Sequence, residues 1–169
     1  MAQYGDNTQL FNPQQYPDGS EIKVGIATSQ WNREVTDKLL KGALEVLSLS
    51  KVSPNHIYSI SVPGSFELTA GAQWIFQHHP VDVVICLGCV IQGETRHFDF
   101  ICHGVANGLN GVMLKYGKPV IFGVLTTDNQ QQALERCGGA HGHKGREAAL
   151  TALQMALLTD DQKNKIGFI

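Results

Sequence analysis

Val83-Val84-Ile85-Cys86-Leu87-Gly88-Cys89-Val90-Ile91 is the longest apolar run in the chain. Its nine residues are about half of the roughly 18 that would suggest a membrane span. Read as a strand over Val83 to Cys89, it has no polar alternation, which is the pattern of a strand covered on both faces, and Val120 to Leu125 repeats it. Outward from these two runs, strands and helices alternate. Ile22 to Thr28 reads as a strand, followed by a helix with Asn32 as its N-cap and Val35, Leu39, Ala43 and Val46 or Leu47 as its apolar stripe. Glu34 with Lys38 and Asp37 with Lys41 stand at the i,i+4 spacing that supports such a helix. A strand at His56 to Val62 stops at Pro63-Gly64, and a helix is predicted over Phe66 to Gln77. The stripe Ile101, Val105, Leu109, Val112 and Tyr116 marks a third helix, ended by Gly117-Lys118-Pro119. Asp128 is expected to cap a short helix through Cys137, and an Ala-rich helix is predicted from about Lys144 to Leu158. Such alternation implies right-handed crossovers and a four-stranded parallel sheet with helices on both faces, a three-layer α/β sandwich.

The 169 residues suffice for one domain with a real core. Thirteen Lys and Arg against fifteen Asp and Glu give a formal net charge of −2, which argues against nucleic acid or an anionic membrane as partner. Charged residues make up 17%, below the roughly 25% of an ordinary soluble domain. So little charge predicts that part of the surface is buried against other copies of the chain. Four cysteines (Cys86, Cys89, Cys102, Cys137) are too few for a disulfide scaffold, and there is neither a basic residue before Lys23 nor an apolar signal segment, so a cytoplasmic protein is expected. Residues 1–20, polar and rich in Gln and Asn with Pro13 and Pro17, are expected to form a flexible arm, and residues 21–169 a single domain.

In a parallel α/β sheet ligands bind beyond the carboxyl ends of the strands, here residues 28–32, 63–67, 88–97 and 126–128. Cys86-Leu87-Gly88-Cys89 has the spacing C-x-x-C, but residues i and i+3 of a strand point to opposite faces, so no metal or redox pair is expected. None of the seven histidines has the helical i,i+4 partner of a zinc site. His97, at a strand-to-helix connection, suits proton transfer near neutral pH, although position alone is equally consistent with a capping or surface histidine. Gly93-Glu94-Thr95 precedes a helix whose N-terminus could hold an anion, with Glu94 turned away from it, or could be an ordinary turn. Arg136 and Lys144 flank the turn Cys137-Gly138-Gly139-Ala140 and either complete a phosphate site or stand as solvated cations. Trp31 follows the first strand and either packs or stacks on a flat heterocycle, and Val62-Pro63-Gly64-Ser65-Phe66-Glu67 offers free backbone N–H groups to ligand hydroxyls.

Taken in order, Ser29-Gln30-Trp31-Asn32, Val62 to Glu67, Leu87 to Asp99, Pro119 to Thr127, Glu135-Arg136 and Gly142-His143-Lys144-Gly145 resemble the lumazine synthase family. The resemblance covers residues 22–158 and implies a flavodoxin-like fold and the synthesis of 6,7-dimethyl-8-ribityllumazine without a metal or organic cofactor. It implies that 5-amino-6-(D-ribitylamino)uracil stacks on Trp31, meets Ser65, Phe66 and Glu67 along its ribityl chain, and is lined by Cys89, Val90, Ile91 and Phe122. It places the phosphate of 3,4-dihydroxy-2-butanone 4-phosphate on Glu94, Thr95 and Arg136 with Lys144 nearby, and gives proton transfer to His97. It also implies sites shared between subunits of a homopentamer, a shell of twelve pentamers as a further possibility, inorganic phosphate as product and riboflavin synthase as a possible partner. A flavin-binding or cage-forming protein of the same fold without catalysis remains an alternative to the enzyme.

Overall fold

The computed structural model describes residues 16–166, with side chains as far as Thr159. Strands β1 (Val24–Ser29), β2 (Ile57–Val62), β3 (Val83–Ile91) and β4 (Val120–Thr127) form one parallel sheet in the order β2-β1-β3-β4. Helices α1 (Arg33–Leu49) and α5 (Lys144–Ile166) cover one face, while α2 (Leu68–His78) and α3 (His97–Tyr116) cover the other. The short helix α4 (Gln130–Glu135) leads into a small antiparallel hairpin, β5 (Cys137–Gly139) and β6 (Gly142–His143).

Alternation along β3 explains its unbroken apolar sequence. Val83, Ile85, Leu87 and Cys89 enter the layer beneath α1 and α5 with Leu39, Leu47 and Leu153. Val84 and Cys86 enter the layer beneath α2 and α3 with Leu68, Ile75 and Val105. Cys86 and Cys89 therefore point to opposite faces, as a period of two requires. Helices α1 and α5 approach closely, because a Cβ at Gly145 would collide with the Leu39 backbone.

Several element ends differ from the sequence reading, each for a local reason. Helix α2 starts at Leu68 rather than Phe66, because Gly64 to Glu67 turn at the end of β2. Strands β3 and β4 run on to Ile91 and Thr127, where Val90 and Ile91 pair in register with Thr126 and Thr127. Asn129, not Asp128, caps α4, accepting the Gln132 N–H at 2.9 Å, while Asp128 accepts from the Gln132 side-chain amide. That helix stops at Glu135 rather than Cys137, and α5 continues past Leu158 to Ile166. Glu34 pairs with Lys38 as expected, but Asp37 pairs with Arg33 instead of Lys41. Most of the N-terminal arm lies outside the described residues. Its described end is tied down: Tyr16 packs against the α1–α5 layer, Lys51 donates to Asp18 at 2.7 Å, and the Gly19 N–H donates to the Ser50 carbonyl at 2.7 Å.

Candidate active site

In the strand order β2-β1-β3-β4, the chain leaves β1 toward one side of the sheet and returns as β3 on the other, opening a crevice beyond the carboxyl ends of β1 and β3. Three strand ends are laced together there. The Cys89 carbonyl accepts from Asn32 Nδ2 at 2.9 Å and from Ser65 Oγ at 3.5 Å. The Gln30 and Trp31 N–H groups donate to the Val62 and Pro63 carbonyls at 2.9 and 3.1 Å. Asn32 is the N-cap of α1, as expected, but with a left-handed backbone, φ 58°, and no side-chain cap hydrogen bond; its amide instead straps α1 to β3. Gly64 makes room for the platform: a Cβ there would sit 3.0 Å from Trp31 Cε3 and 2.9 Å from Glu67 Oε2. The Gly64 N–H also donates to that Glu67 oxygen at 3.0 Å. Trp31 is 67% exposed, an indole face held over the turn and open to a flat ring.

Beneath it, Ser65 Oγ lies 2.7 Å and Ser29 Oγ 3.4 Å from where a Cβ at Gly88 would stand, so two buried hydroxyls fill the space that this glycine leaves. The Cys89 side chain faces the α1–α5 core, and burial, followed by the neighbouring Cys137, pushes its thiol up to about 12. Cys89 therefore offers the crevice its backbone and not a nucleophile. Phe66, half exposed, lies across Gly104 of α3, where a Cβ would come within 2.7 Å of its ring. Glu94, Thr95 and His97 are all exposed on the connection from β3 to α3, with open space around Gly93. His97 is the first residue of α3, and its N–H donates to Thr95 Oγ1 at 3.3 Å.

Phe122, Arg136 and Lys144 stand elsewhere. They line a groove of about 530 Å³ along β4, together with Thr126, Glu147 and Thr151. Phe122, 45% exposed, pairs in register with Cys86, which puts it roughly 16 Å upstream of the end of β4 at the usual strand rise. Arg136 Nη1 donates to the Gln132 carbonyl at 2.9 Å, and the guanidinium has no carboxylate partner among the described residues. Lys144 is paired with Glu147 at 2.6 Å, so the cation is already neutralised in the free chain. Of the expected site residues, Phe122, Arg136 and Lys144 line the β4 groove, whereas Trp31, Ser65, Phe66, Glu67, Cys89, Val90, Ile91, Glu94, Thr95 and His97 stand outside its lining, at the ends of β1, β2 and β3 and on the connections that follow them. Sequence reasoning missed the Asn32 strap and Glu147. The i,i+3 spacing of Lys144 and Glu147 on one helix was the signal for the latter.

The family model of 6,7-dimethyl-8-ribityllumazine synthase matches residues 21–160, which takes in both groups. The chain belongs to the lumazine synthase family. It is 56% identical to the 6,7-dimethyl-8-ribityllumazine synthase of Cytophaga hutchinsonii over 85% of this chain and 90% of the relative. The corresponding protein of Parabacteroides distasonis is 46% identical over 92% and 97% of the two chains, and that of Bdellovibrio bacteriovorus 44% over 83% and 77%. The four-stranded parallel sheet between two helical layers is the arrangement that the resemblance to lumazine synthases implied. No described helix is long and apolar enough to cross a membrane.

Proposed function

We infer that the chain is a transferase that condenses 5-amino-6-(D-ribitylamino)uracil with 3,4-dihydroxy-2-butanone 4-phosphate to 6,7-dimethyl-8-ribityllumazine, the last intermediate before riboflavin. The observation that carries this reading is the family match across the whole fold, with the aromatic platform, the strand-end loops and the histidine at the start of α3 all present. The amine of the aminouracil attacks the ketone and loses water to give an imine. Elimination then expels phosphate, and the ribitylamino nitrogen closes the second ring with loss of a second water. Every step moves a proton, a task that suits His97, exposed at the mouth of the crevice.

In this reading the uracil stacks on Trp31, the ribityl hydroxyls meet Ser65, Phe66 and Glu67, and the pyrimidine lies along the Cys89, Val90 and Ile91 backbone. The phosphate is held by Thr95, beside Glu94, and by Arg136, whose guanidinium has no carboxylate partner among the described residues and is suited to a phosphate fork. Lys144 follows once phosphate competes for it with Glu147. The separation of the two residue groups supports a crevice completed by the β4 groove of a second copy. Exposed Trp74 on α2 and Phe100 and Leu114 on α3 support extensive contact between copies. A pentamer, and beyond it a shell of twelve pentamers, fits the low proportion of charged residues, and riboflavin synthase is the natural consumer of the product.

The test is to mix the purified protein with both substrates and follow the fluorescent lumazine and inorganic phosphate. Equimolar products formed above the uncatalysed background support the reading. Binding of riboflavin or the aminouracil without turnover would replace it with the binding-protein alternative. Light scattering tests the assembly, since a pentamer or decamer mass excludes the shell.

A further inference from the structure

Arg136 immediately precedes β5 and Lys144 immediately follows β6, so whatever fixes this hairpin fixes the spacing of both cations. The backbone joins them as well, the Lys144 N–H donating to the Arg136 carbonyl at 2.8 Å. The hairpin meets the body through buried Cys137, which joins the α1–α5 core, and through the ring of His143. The half-buried imidazole of His143 lies between Gly42 of α1, where a Cβ would overlap it, and Gly138 of β5, where a Cβ would stand 3.5 Å from Cδ2. Gly138 has φ 117°, a conformation that itself favours glycine. Gly42 is buried in the middle of α1, where glycine costs about 1 kcal/mol against alanine, and the space it leaves is taken by the ring.

Burial of the imidazole, and after it the Arg146 cation, disfavours a proton on the ring, while Glu45 and Glu147 act the other way. Glu45 of α1 and Arg146 and Glu147 of α5 face it. Glu45 is held by Arg146 through hydrogen bonds of 2.7 to 3.2 Å, and Glu147 is held by Lys144 at 2.6 Å. His143 Nδ1 is buried with no partner. An imidazolium here would meet the Arg146 cation and two carboxylates already engaged.

We propose that His143 is a positioning residue for the phosphate-bearing substrate: its ring, seated between α1 and the β5–β6 hairpin, sets the placement of Arg136 and Lys144 along the β4 groove. It touches no substrate, and the proposal rests on the lumazine synthase reading of that groove. Burial first, and then Arg146, hold the imidazole below its ordinary value of 6.5. The sign follows from this: the unfolded chain takes up the proton more readily, so the contribution of the clamp is complete above the ordinary value and is lost as pH falls through the lowered one. A protonated ring either competes with Lys144 for Glu147 or leaves the Gly42 notch, and both shift the cations.

The test compares wild type, His143→Ala and His143→Gln by steady-state kinetics in steps from pH 8 down to pH 5. At pH 8, His143→Ala is expected to raise KM for the butanone phosphate about tenfold, with kcat and KM for the aminouracil within about twofold. His143→Gln, planar and uncharged, is expected to restore KM to within about threefold of wild type and to show a smaller rise in KM on going to pH 5. The titration of the substrate phosphate is common to both proteins and cancels. Equal rises in both KM values, an unchanged KM for the phosphate substrate, or the same pH dependence in His143→Gln and wild type would overturn the proposal. If His143→Ala does not fold, the pH comparison of His143→Gln decides alone. If wild type shows no turnover, the lumazine synthase reading fails, and titration with inorganic phosphate by calorimetry decides separately: about tenfold weaker binding in His143→Ala supports the clamp and equal binding refutes it.

Discussion

Arg136→Ala removes a guanidinium and little else. The Arg136 N–H that donates to the Ala133 carbonyl and the Arg136 carbonyl that accepts from the Lys144 N–H are both backbone groups, so the turn into the hairpin survives the truncation. What is lost is one Nη1 contact with the Gln132 carbonyl and the part of the fork left free for phosphate. A charge-assisted hydrogen bond of this kind contributes about 1.5–3 kcal/mol, so KM for the butanone phosphate should rise about 10- to 150-fold. KM for the aminouracil, proposed to lie against the strand ends, should stay near wild type. Arg136→Lys should recover part of the loss, because a point charge remains while the fork does not. The assay is initial-rate lumazine fluorescence with each substrate varied in turn. A second arm tests the division of the site. Trp31→Ala and Arg136→Ala chains, each impaired alone, are unfolded, mixed in equal amounts and refolded together. Random pairing across a shared interface leaves about one quarter of the sites with both residues intact, and activity should return to about that fraction. An unchanged phosphate KM in Arg136→Ala would remove this residue from the phosphate site. Mixed chains no more active than their parents would show that the two residue groups do not meet across an interface.

Three further outcomes follow from the geometry. His97→Ala is expected to lower kcat by up to about 100-fold without abolishing turnover, because holding two reactants together supplies much of the acceleration; full activity in a single-turnover assay would exclude His97 from proton transfer. Gly145→Ala drives a methyl into the Leu39 backbone, and at about 1–3 kcal/mol for overpacking it should lower the thermal midpoint by roughly 3–10 °C at fixed protein concentration; an unchanged midpoint would mean that α1 and α5 separate freely. With its thiol pushed up to about 12, Cys89 carries about one part in 10⁴ thiolate at pH 8. Iodoacetamide mapped by mass spectrometry should leave Cys89 unmodified in the native protein while labelling it in urea, and rapid native labelling would place it in solvent.

The sheet, its order of elements and the opposite facing of Cys86 and Cys89 were legible because they depend only on hydrophobic period, and period is a property of the sequence. Boundaries were less so, because they depend on which neighbour a group finds. Asp128 and Asn129 are equally good caps by residue type, and Asn129 wins because Asp128 is taken by the Gln132 amide. Asp37 had two cations at i,i+4 spacing, and the one toward the N-terminus was chosen. Asn32 reads as a cap from its place before a helix, whereas the left-handed turn sends its amide across 57 positions of sequence to Cys89. The hairpin at 137–143 escaped notice because three glycines in so short a segment carry no periodicity at all. Strand-end position and residue type picked out Trp31, Ser65, Glu94, Thr95, His97, Arg136 and Lys144 and resemblance assigned their roles, but which of them share an opening is a matter of register and strand order, which no local pattern encodes.

The groove along β4 also bears on how the chain is made. Among the described residues no strand pairs with the outer side of β4, and Phe122 stands half exposed there. Soluble proteins usually defend such a border with lysines, a proline or a bulge, but Val120 to Thr127 contains none of these. A border without these defences is open to any passing extended segment while the newly made chain is alone. The vulnerable period is therefore between release from the ribosome and the first encounter with another copy, and its length falls as expression rises. Slow, dilute production is the condition in which this protein should be most prone to misassembly.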